Sequence, residues 1–562
     1  MVRRVSRAGL ATHATVRRAV RQRRPRPRLD ADRECARERP MSFGIPPVLD
    51  LAQPLQLTAA LIPDLVLMGG AMLLVIAAAW RPDSRSHQRA IGWASLIVTL
   101  LTLAAVIYFL IGGYGAGPGP IAVDNYRWMV DIVILLGTML TIMLAIDDND
   151  REQITAPETH VLVLLASSGM MLLAAARDLM IVFLGIELMS ISVYALAGIN
   201  RRSIRSAEGA LKYFLLGAFS TAFLLYGIAL VYGATGATNL QTIGERALTE
   251  GGAVASGPLF LIGIALLLVG FGFKVATVPF HMWAPDVYDG APSPVTAYMA
   301  ATVKTAAFAA FLRSWLEAFP AAFNAWHPAV VGIAVATMVL GNAIGLRQQN
   351  IKRMLAYSSI GHAGYLLVAL AAGTTQGASA LIFYLLIYTL ATFGCFAVVA
   401  SLTRRGSATV VLDELAGLWS VRPWTAFAMA VLMFALLGFP IAGGAGFFAK
   451  WYVIQAALQS SAPQTLLVVV LVLTTVVSAG YYLYVIRVMF MKPRIEGLGV
   501  PEPPGGLTRF VLAATVVLLL VLGIVPDYVV RLTWAGRPQL ATSSALTDRL
   551  YPTPIASPMR TR

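Results

Sequence analysis

Residues 271–311 read FGFKVATVPFHMWAPDVYDGAPSPVTAYMAATVKTAAFAAF. Lys274 and Lys304 stand inside apolar runs here, and Pro279 and Pro285 flank His281 between them. Apolar runs near or above about 18 residues recur along almost the whole chain, which marks helices that cross a membrane. Such a helix satisfies its own backbone hydrogen bonds, and proline removes one donor and clashes with the turn before it. The stretch therefore reads as a crossing helix broken beside a lysine, followed by a second crossing that carries another.

The bulk composition agrees. The chain has 562 residues, 58% hydrophobic and 13% charged, with mean hydropathy +0.72. Water-facing globular chains carry about 25% charged residues. The net charge of +15 does not point to nucleic acid, because the basic residues sit at helix ends and in the N-terminal arm rather than on one soluble face. Cys35 and Cys395 cannot supply a CxxC pair or a cluster ligand set, and no GxGxxG fingerprint is present. Redox chemistry associated with this chain belongs to a partner.

The predicted fold is an all-α polytopic membrane protein with fourteen spans, near 58–79, 90–112, 126–146, 159–176, 179–199, 208–232, 257–280, 294–316, 327–346, 353–372, 377–402, 423–458, 465–490 and 507–530. The twelfth is too long for one straight crossing and contains Pro440 with a glycine cluster, so it too should be broken. Loops after odd-numbered spans collect Arg81, Arg151, Arg201, Arg347, Arg404, Arg487 and their neighbours, with Lys352 and Lys492 counted among them. The opposite ends hold Arg127, Arg177, Arg246 and Arg313. Lys/Arg bias makes the odd loops cytoplasmic and puts both termini on the periplasmic side of a bacterial inner membrane. Residues 1–40, with thirteen arginines and no apolar stretch, oppose that topology. Met41, opening MSFGIPPVLDLAQ, reads as the true start, and residues 1–40 are expected to be absent from the mature protein or disordered.

The chain has six lysines, and four of them, Lys212, Lys274, Lys304 and Lys450, lie within apolar spans. A lysine at the bilayer centre costs about 2.5–3.5 kcal/mol on insertion scales, so four such placements demand a reason. Out of water an ammonium can give up its proton, whereas a guanidinium stays charged, so lysine suits a site that loads and releases protons. Glu187, near the middle of the fifth span, is the acidic counterpart, expected together with Lys212 to modulate Lys274. For Glu187, Lys274, Lys304 and Lys450 the competing reading is a static ion pair between helices. Lys212, about a turn and a half inside its span, could instead snorkel to the interface. His281 and His362 stand near the breaks as supporting groups. Asp64 and Asp131 are weaker candidates close to span ends, and Tyr, Phe and Trp read as packing and interfacial belt.

Two spans combine a lysine with helix breakers, FGFKVATVPFHMWAPDV in the seventh and LLGFPIAGGAGFFAKWYV in the twelfth. A discontinuous helix near mid-membrane frequently marks an ion site in transporters. Five spans separate the two breaks, so they run in opposite directions, and spans four to eight and nine to thirteen form two inverted five-helix repeats. The expected divisions are 41–157 for the first three spans, 158–317 and 326–492 for the repeats, and 505–562 for the last span and a short polar tail.

FKVATVPFHMWAPDVYDGAPSPVTAYMAATVKTAAFA, QQNIKRMLAYSSIGHAGYLL and FLGIELMSISVYALAG resemble segments of subunit N in the antiporter-like membrane subunit family of respiratory complex I, the NADH–quinone oxidoreductase. The resemblance runs through most of residues 45–530. It implies a proton relay through Glu187, Lys212, Lys274, Lys304 and Lys450, with His281 and His362 along the connecting axis. It also implies that neighbouring antiporter-like subunits are partners, that this chain binds no cofactor, and that NADH, FMN, iron–sulfur clusters and quinone reside in partner subunits. Subunit M usually has glutamate where Lys450 stands, and subunit L has a long lateral helix that is missing here. Pro440 stands ten residues before Lys450, about two more than the family usually has, which leaves the geometry of the twelfth break open. The alternatives are a secondary cation/proton antiporter, alone or as part of a multisubunit one, and a structural membrane scaffold.

Overall fold

The computed structural model describes residues 48–49, 53–116, 119–248, 252–403, 410–440, 444–460, 462–495 and 502–526. Expectations about residues 1–40, about Cys35, about Gly443 and about the tail after residue 526 lie outside them. Among the described residues, 13 helices are long and apolar enough to cross a membrane. In order these are Ile62–Trp80, Arg85–Gly112, Asn125–Glu152, Glu158–Ala175, Leu179–Ala197, Ile204–Thr235, Pro258–Val275, Ser293–Ala318, Pro320–Gly345, Ile351–Ala371, Thr375–Leu402, Thr465–Met491 and Gly506–Ile524. Between the eleventh of these and Thr465–Met491 come two shorter helices, Pro423–Leu437 and Ala445–Leu458. They are the two halves of the expected twelfth span, so fourteen crossings are kept, and spans are numbered below in that order. Among the described residues the one sheet is a parallel pairing of Val48–Leu49 with Gly115–Ala116.

The span ends follow local chemistry. Ser84, Asp124, Asp178, Ser203, Asn350 and Thr374 cap spans two, three, five, six, ten and eleven, each side chain accepting from a backbone N–H of the first turn. Spans two and six stop on left-handed glycines, Gly113 (φ 63) and Gly236 (φ 67). Spans eight, ten and eleven are nearly wholly buried. In contrast, spans one, two, six, thirteen and fourteen turn apolar side chains such as Leu73, Ile111, Phe219, Val476 and Phe510 outward. An apolar exterior around a polar-bearing interior is what a bilayer solvent selects.

The breaks differ from the proline reading. The seventh span ends at Val275, immediately after Lys274, because Ala276 takes the left-handed conformation (φ 58). Pro279 lies in the irregular stretch beyond. Pro285 opens the next short helix, Ala284–Gly290, where a missing N–H costs nothing. Lys274 thus precedes its break. In the twelfth span the stop is Gly438 (φ 77), and Lys450 follows the break in the second half. The eighth span contains a π-helical turn, Met299–Val303, directly before Lys304. No feature of the sequence signalled it.

Candidate functional site

Lys274 is buried, and its ammonium donates to Ser190 Oγ at 2.5 Å and Tyr194 Oη at 3.4 Å. It also sits over the rings of Tyr194 and Tyr213, at 5.2 and 5.6 Å. Glu187, Ser190 and Tyr194 share one face of the fifth span at i, i+3 and i+7 spacing. Glu187 is within electrostatic reach of Lys274 and Tyr194. Among the described residues it forms no ion pair with Lys274 or Lys212.

Lys212 sits elsewhere. Its ammonium pairs with Glu208 at 2.7 Å and Asp286 at 2.9 Å, and its side chain is 42% exposed. The expected Glu187 partnership is therefore replaced, in this structure, by a carboxylate from the short helix after the seventh break. Asp286 also accepts from Arg353 of the tenth span at 2.7 Å. Asn350, the cap of that span, donates to Asp289 at 2.7 Å, and Lys352 Nζ donates to Ala291 O at 3.0 Å. The APDVYDGAP and QQNIKR segments of the sequence thus meet in space and tie the two repeats together. Asp286 was not singled out from sequence, although a carboxylate directly after a broken helix was a usable signal.

Lys304 lies deeper. Its ammonium donates to both the carbonyl (2.6 Å) and the hydroxyl (2.5 Å) of Ser359 on the tenth span. One turn further along, His362 Nδ1 shares a hydrogen bond with Tyr384 Oη at 2.6 Å, and Nε2 one with Tyr482 Oη at 3.1 Å. Tyr482 also bonds Ser358. Another turn on, Tyr365 accepts from Asn342 Nδ2 at 3.1 Å, and Asn342 Oδ1 accepts from Tyr481 at 2.8 Å. Lys450 sits over the Tyr365 ring at 4.8 Å and donates to Leu437 O at 2.8 Å and Thr475 Oγ1 at 3.3 Å. Leu437 is the last residue before the twelfth break, so the lysine satisfies a carbonyl that the break sets free. At the seventh break the Phe273 carbonyl, which accepts from the Ala276 N–H, also accepts from Trp283 Nε1, at 3.1 Å.

Ser359, His362 and Tyr365 form a ladder on one face of the tenth span, joining Lys304 toward Lys450. The tyrosines that sequence reading assigned to packing line this ladder; the hydroxyl of a buried tyrosine needs a partner, which apolar composition alone does not reveal. None of Lys274, Lys304 or Lys450 has a carboxylate in ion-pair contact among the described residues; their partners are hydroxyls and carbonyls. His281 stands apart, half-buried, with Nδ1 lacking a hydrogen-bond partner.

Most of the remaining buried charges are arginine centred. Arg127, fully buried, pairs with Asp64 and lies 3.4 Å from Asp131. Arg313 grips Asp124 in a fork at 2.8 and 2.9 Å, with Arg177 and Glu317 completing the cluster. These are held pairs, unlike the lysines.

A membrane helix bundle with two interrupted helices, a buried lysine at each interruption and a polar ladder leading from a third buried lysine toward the second interruption has the construction of an antiporter-like membrane subunit. Residues 176–478 match the family described as NADH:quinone oxidoreductase/Mrp antiporter. The chain is 52% identical over 482 residues to NADH-quinone oxidoreductase subunit N of Gemmatimonas aurantiaca, covering 84% of this chain and 92% of that one. A chain of respiratory complex I from Thermus thermophilus superposes with TM-score 0.71 at 37% identity, covering 84% of this chain and all of that one. A chain of the Mrp complex from Dietzia shares the fold at TM-score 0.75 and 22% identity, covering 88% and 99%. The chain belongs to the NADH-quinone oxidoreductase subunit N family.

Proposed function

We propose that this chain is the proton-translocating membrane subunit of an NADH–quinone oxidoreductase, with Lys274 as the central protonatable group. Glu187 and Lys212 act on it, and protons pass by Lys304 and His362 toward Lys450. The observation that carries this reading is that, among the described residues, Lys274, Lys304 and Lys450 are buried without a carboxylate in ion-pair contact, each solvated by neutral oxygens. A static pair would need an opposite charge; a proton carrier needs the ability to exist without one. Substrate oxidation and quinone reduction, with their NADH, FMN and iron–sulfur centres, belong to partner subunits in this reading. In this reading the two five-helix repeats are 158–317 and 326–492, flanked in sequence by 41–157 and 505–562. His281, beside the seventh break, is a supporting group.

The orientation is part of the proposal. The four arginines on the minority face are spoken for: Arg127, Arg177 and Arg313 by carboxylates, and Arg246 by the Thr235 carbonyl at 2.7 Å. The larger number of basic residues on the odd loops supports a cytoplasmic side there and periplasmic termini.

Lys274→Arg is the test, because it keeps the charge and removes its release. The variant is expected to assemble by native gel yet lose at least tenfold in coupled proton pumping and quinone reductase turnover. Normal pumping by the assembled variant would leave the lysines as structural elements. Purification without redox subunits, together with cation/proton exchange by the chain alone, would favour the antiporter alternative.

A further inference from the structure

We propose that protons enter this axis through a polar vestibule at its arginine-rich end, with Lys352 as the group that hands them inward. The inference rests on the relay reading above. A cavity of about 480 Å³ opens there, lined among others by Asp148, Glu152, Asn200, Arg202, Pro292 and Lys352. At about 30 Å³ per molecule it has room for on the order of fifteen waters. Sequence reading counted Lys352 as a loop charge; it is 3% exposed, in the first turn of the tenth span.

Its ammonium has three donors and one protein acceptor, Ala291 O at 3.0 Å. Two N–H groups remain for water in the cavity it lines. Asp148 and Glu152 of the third span and Asp289 beyond the seventh break act on it electrostatically, while Arg151 and Arg202 also line the cavity. This is a mixed-charge mouth that attracts neither cations nor anions strongly, suited to water and its protons.

The inward step follows the helix. Lys352 and Ser359 lie two turns apart on one face of the tenth span, about 10 Å along its axis. Ser359 holds the Lys304 ammonium through both of its oxygens. The Tyr288 hydroxyl lies beside Ser359. From Ser359 the polar groups wind on through His362 and Tyr365 toward Lys450.

The competing role for Lys352 is a strut that pins the Ala291 carbonyl and holds the seventh-to-eighth connection against the tenth span. Arginine would rescue a strut and would not rescue a proton carrier. The whole complex, reconstituted in vesicles, should be measured with Lys352→Arg, Lys352→Met and Asn200→Cys. Both Lys352 variants are expected to lose at least tenfold in proton pumping. Asn200→Cys serves as its own baseline: treated with a charged, membrane-impermeant thiol reagent from the arginine-rich side, it should fall at least fivefold from its untreated rate. The unsubstituted complex treated alongside sets the background, since Cys395 is buried. Wild-type pumping by Lys352→Arg, or undiminished pumping by Asn200→Cys shown by mass to be labelled, would overturn the proposal. If Lys352→Arg fails to assemble, the labelled Asn200→Cys complex decides alone. Lys274→Arg measured in parallel separates the outcomes: a dead Lys274→Arg beside an active, labelled Asn200→Cys removes the vestibule and leaves the relay.

Discussion

At the scale of single residues, the division between lysine and arginine is the organising fact. Every deeply buried arginine described here has a carboxylate or carbonyl fixed against it, whereas Lys274, Lys304 and Lys450 rest on hydroxyls and carbonyls. Two predictions separate the groups. Ser190→Ala removes a hydrogen bond to a charged group, worth about 1.5–3 kcal/mol, and should lower proton pumping several-fold in an assembled complex; Ser190→Thr keeps the hydroxyl and should restore it. Asp124→Asn strips the fork from Arg313 and should destabilise by about 3–5 kcal/mol, read as reduced assembly on a native gel. Burial pushes the Asp124 carboxyl up, but Arg313 and Arg177 outweigh it and hold the group at about 2. A depressed value gives stability that is complete above the ordinary 3.8 and is lost as pH falls through about 2. Between pH 5 and 8 that pair contributes a constant, so any change of pumping rate in that window in the wild type arises elsewhere. The lysines were legible in the sequence because their cost in hydrocarbon makes them conspicuous. Ser359, Tyr365, Tyr384 and Tyr482 were not, because serine and tyrosine are ordinary inside helix bundles and only their mutual geometry makes a ladder.

At the scale of the helix, the two breaks show what composition does and does not encode. Proline and glycine runs near Lys274 and Lys450 located both interruptions within a few residues. They did not locate the stops, since Ala276 has no sequence signature for a left-handed conformation and Pro285 begins a helix instead of ending one. An alanine there carries about 1–2 kcal/mol of strain. Ala276→Gly is therefore expected to raise the thermal midpoint of the assembled complex slightly, and Ala276→Val to lower it, in a paired unfolding measurement. The twelfth break is sterically tighter: a Cβ on Gly446 would stand 1.8 Å from the Ala435 carbonyl oxygen. Backbone cannot swing aside as a side chain can, so Gly446→Ala should cost about 1–3 kcal/mol and impair assembly more than the same change at exposed Gly69, where nothing lies within 4 Å. Equal assembly of the two would mean that the halves of the twelfth span move apart freely.

At the scale of the whole molecule, span count and charge bias together predict a topology that a single pair of labels can test. The sixth span, Ile204–Thr235, has 32 residues, about 48 Å of helix against a hydrocarbon core of about 30 Å. Its two ends must emerge on opposite faces. Arg201, exposed just before it, belongs to the arginine-rich side, and Glu245, exposed just after it, belongs to the side whose arginines are sequestered. Ser206, which loop position alone would recommend for labelling, is buried and donates to the Ala197 carbonyl at 2.7 Å, so it would not report. Arg201→Cys and Glu245→Cys each disturb only an exposed contact, worth less than about 1 kcal/mol, so both variants should assemble. An impermeant thiol reagent should modify the first only from the cytoplasmic side and the second only from the periplasmic side, compared in inside-out and right-side-out vesicles. Labelling of both from one side would break the odd number of crossings between them and with it the fourteen-span order. Labelling with the two sides exchanged would keep the fold and reverse the vestibule, placing proton entry on the periplasmic face.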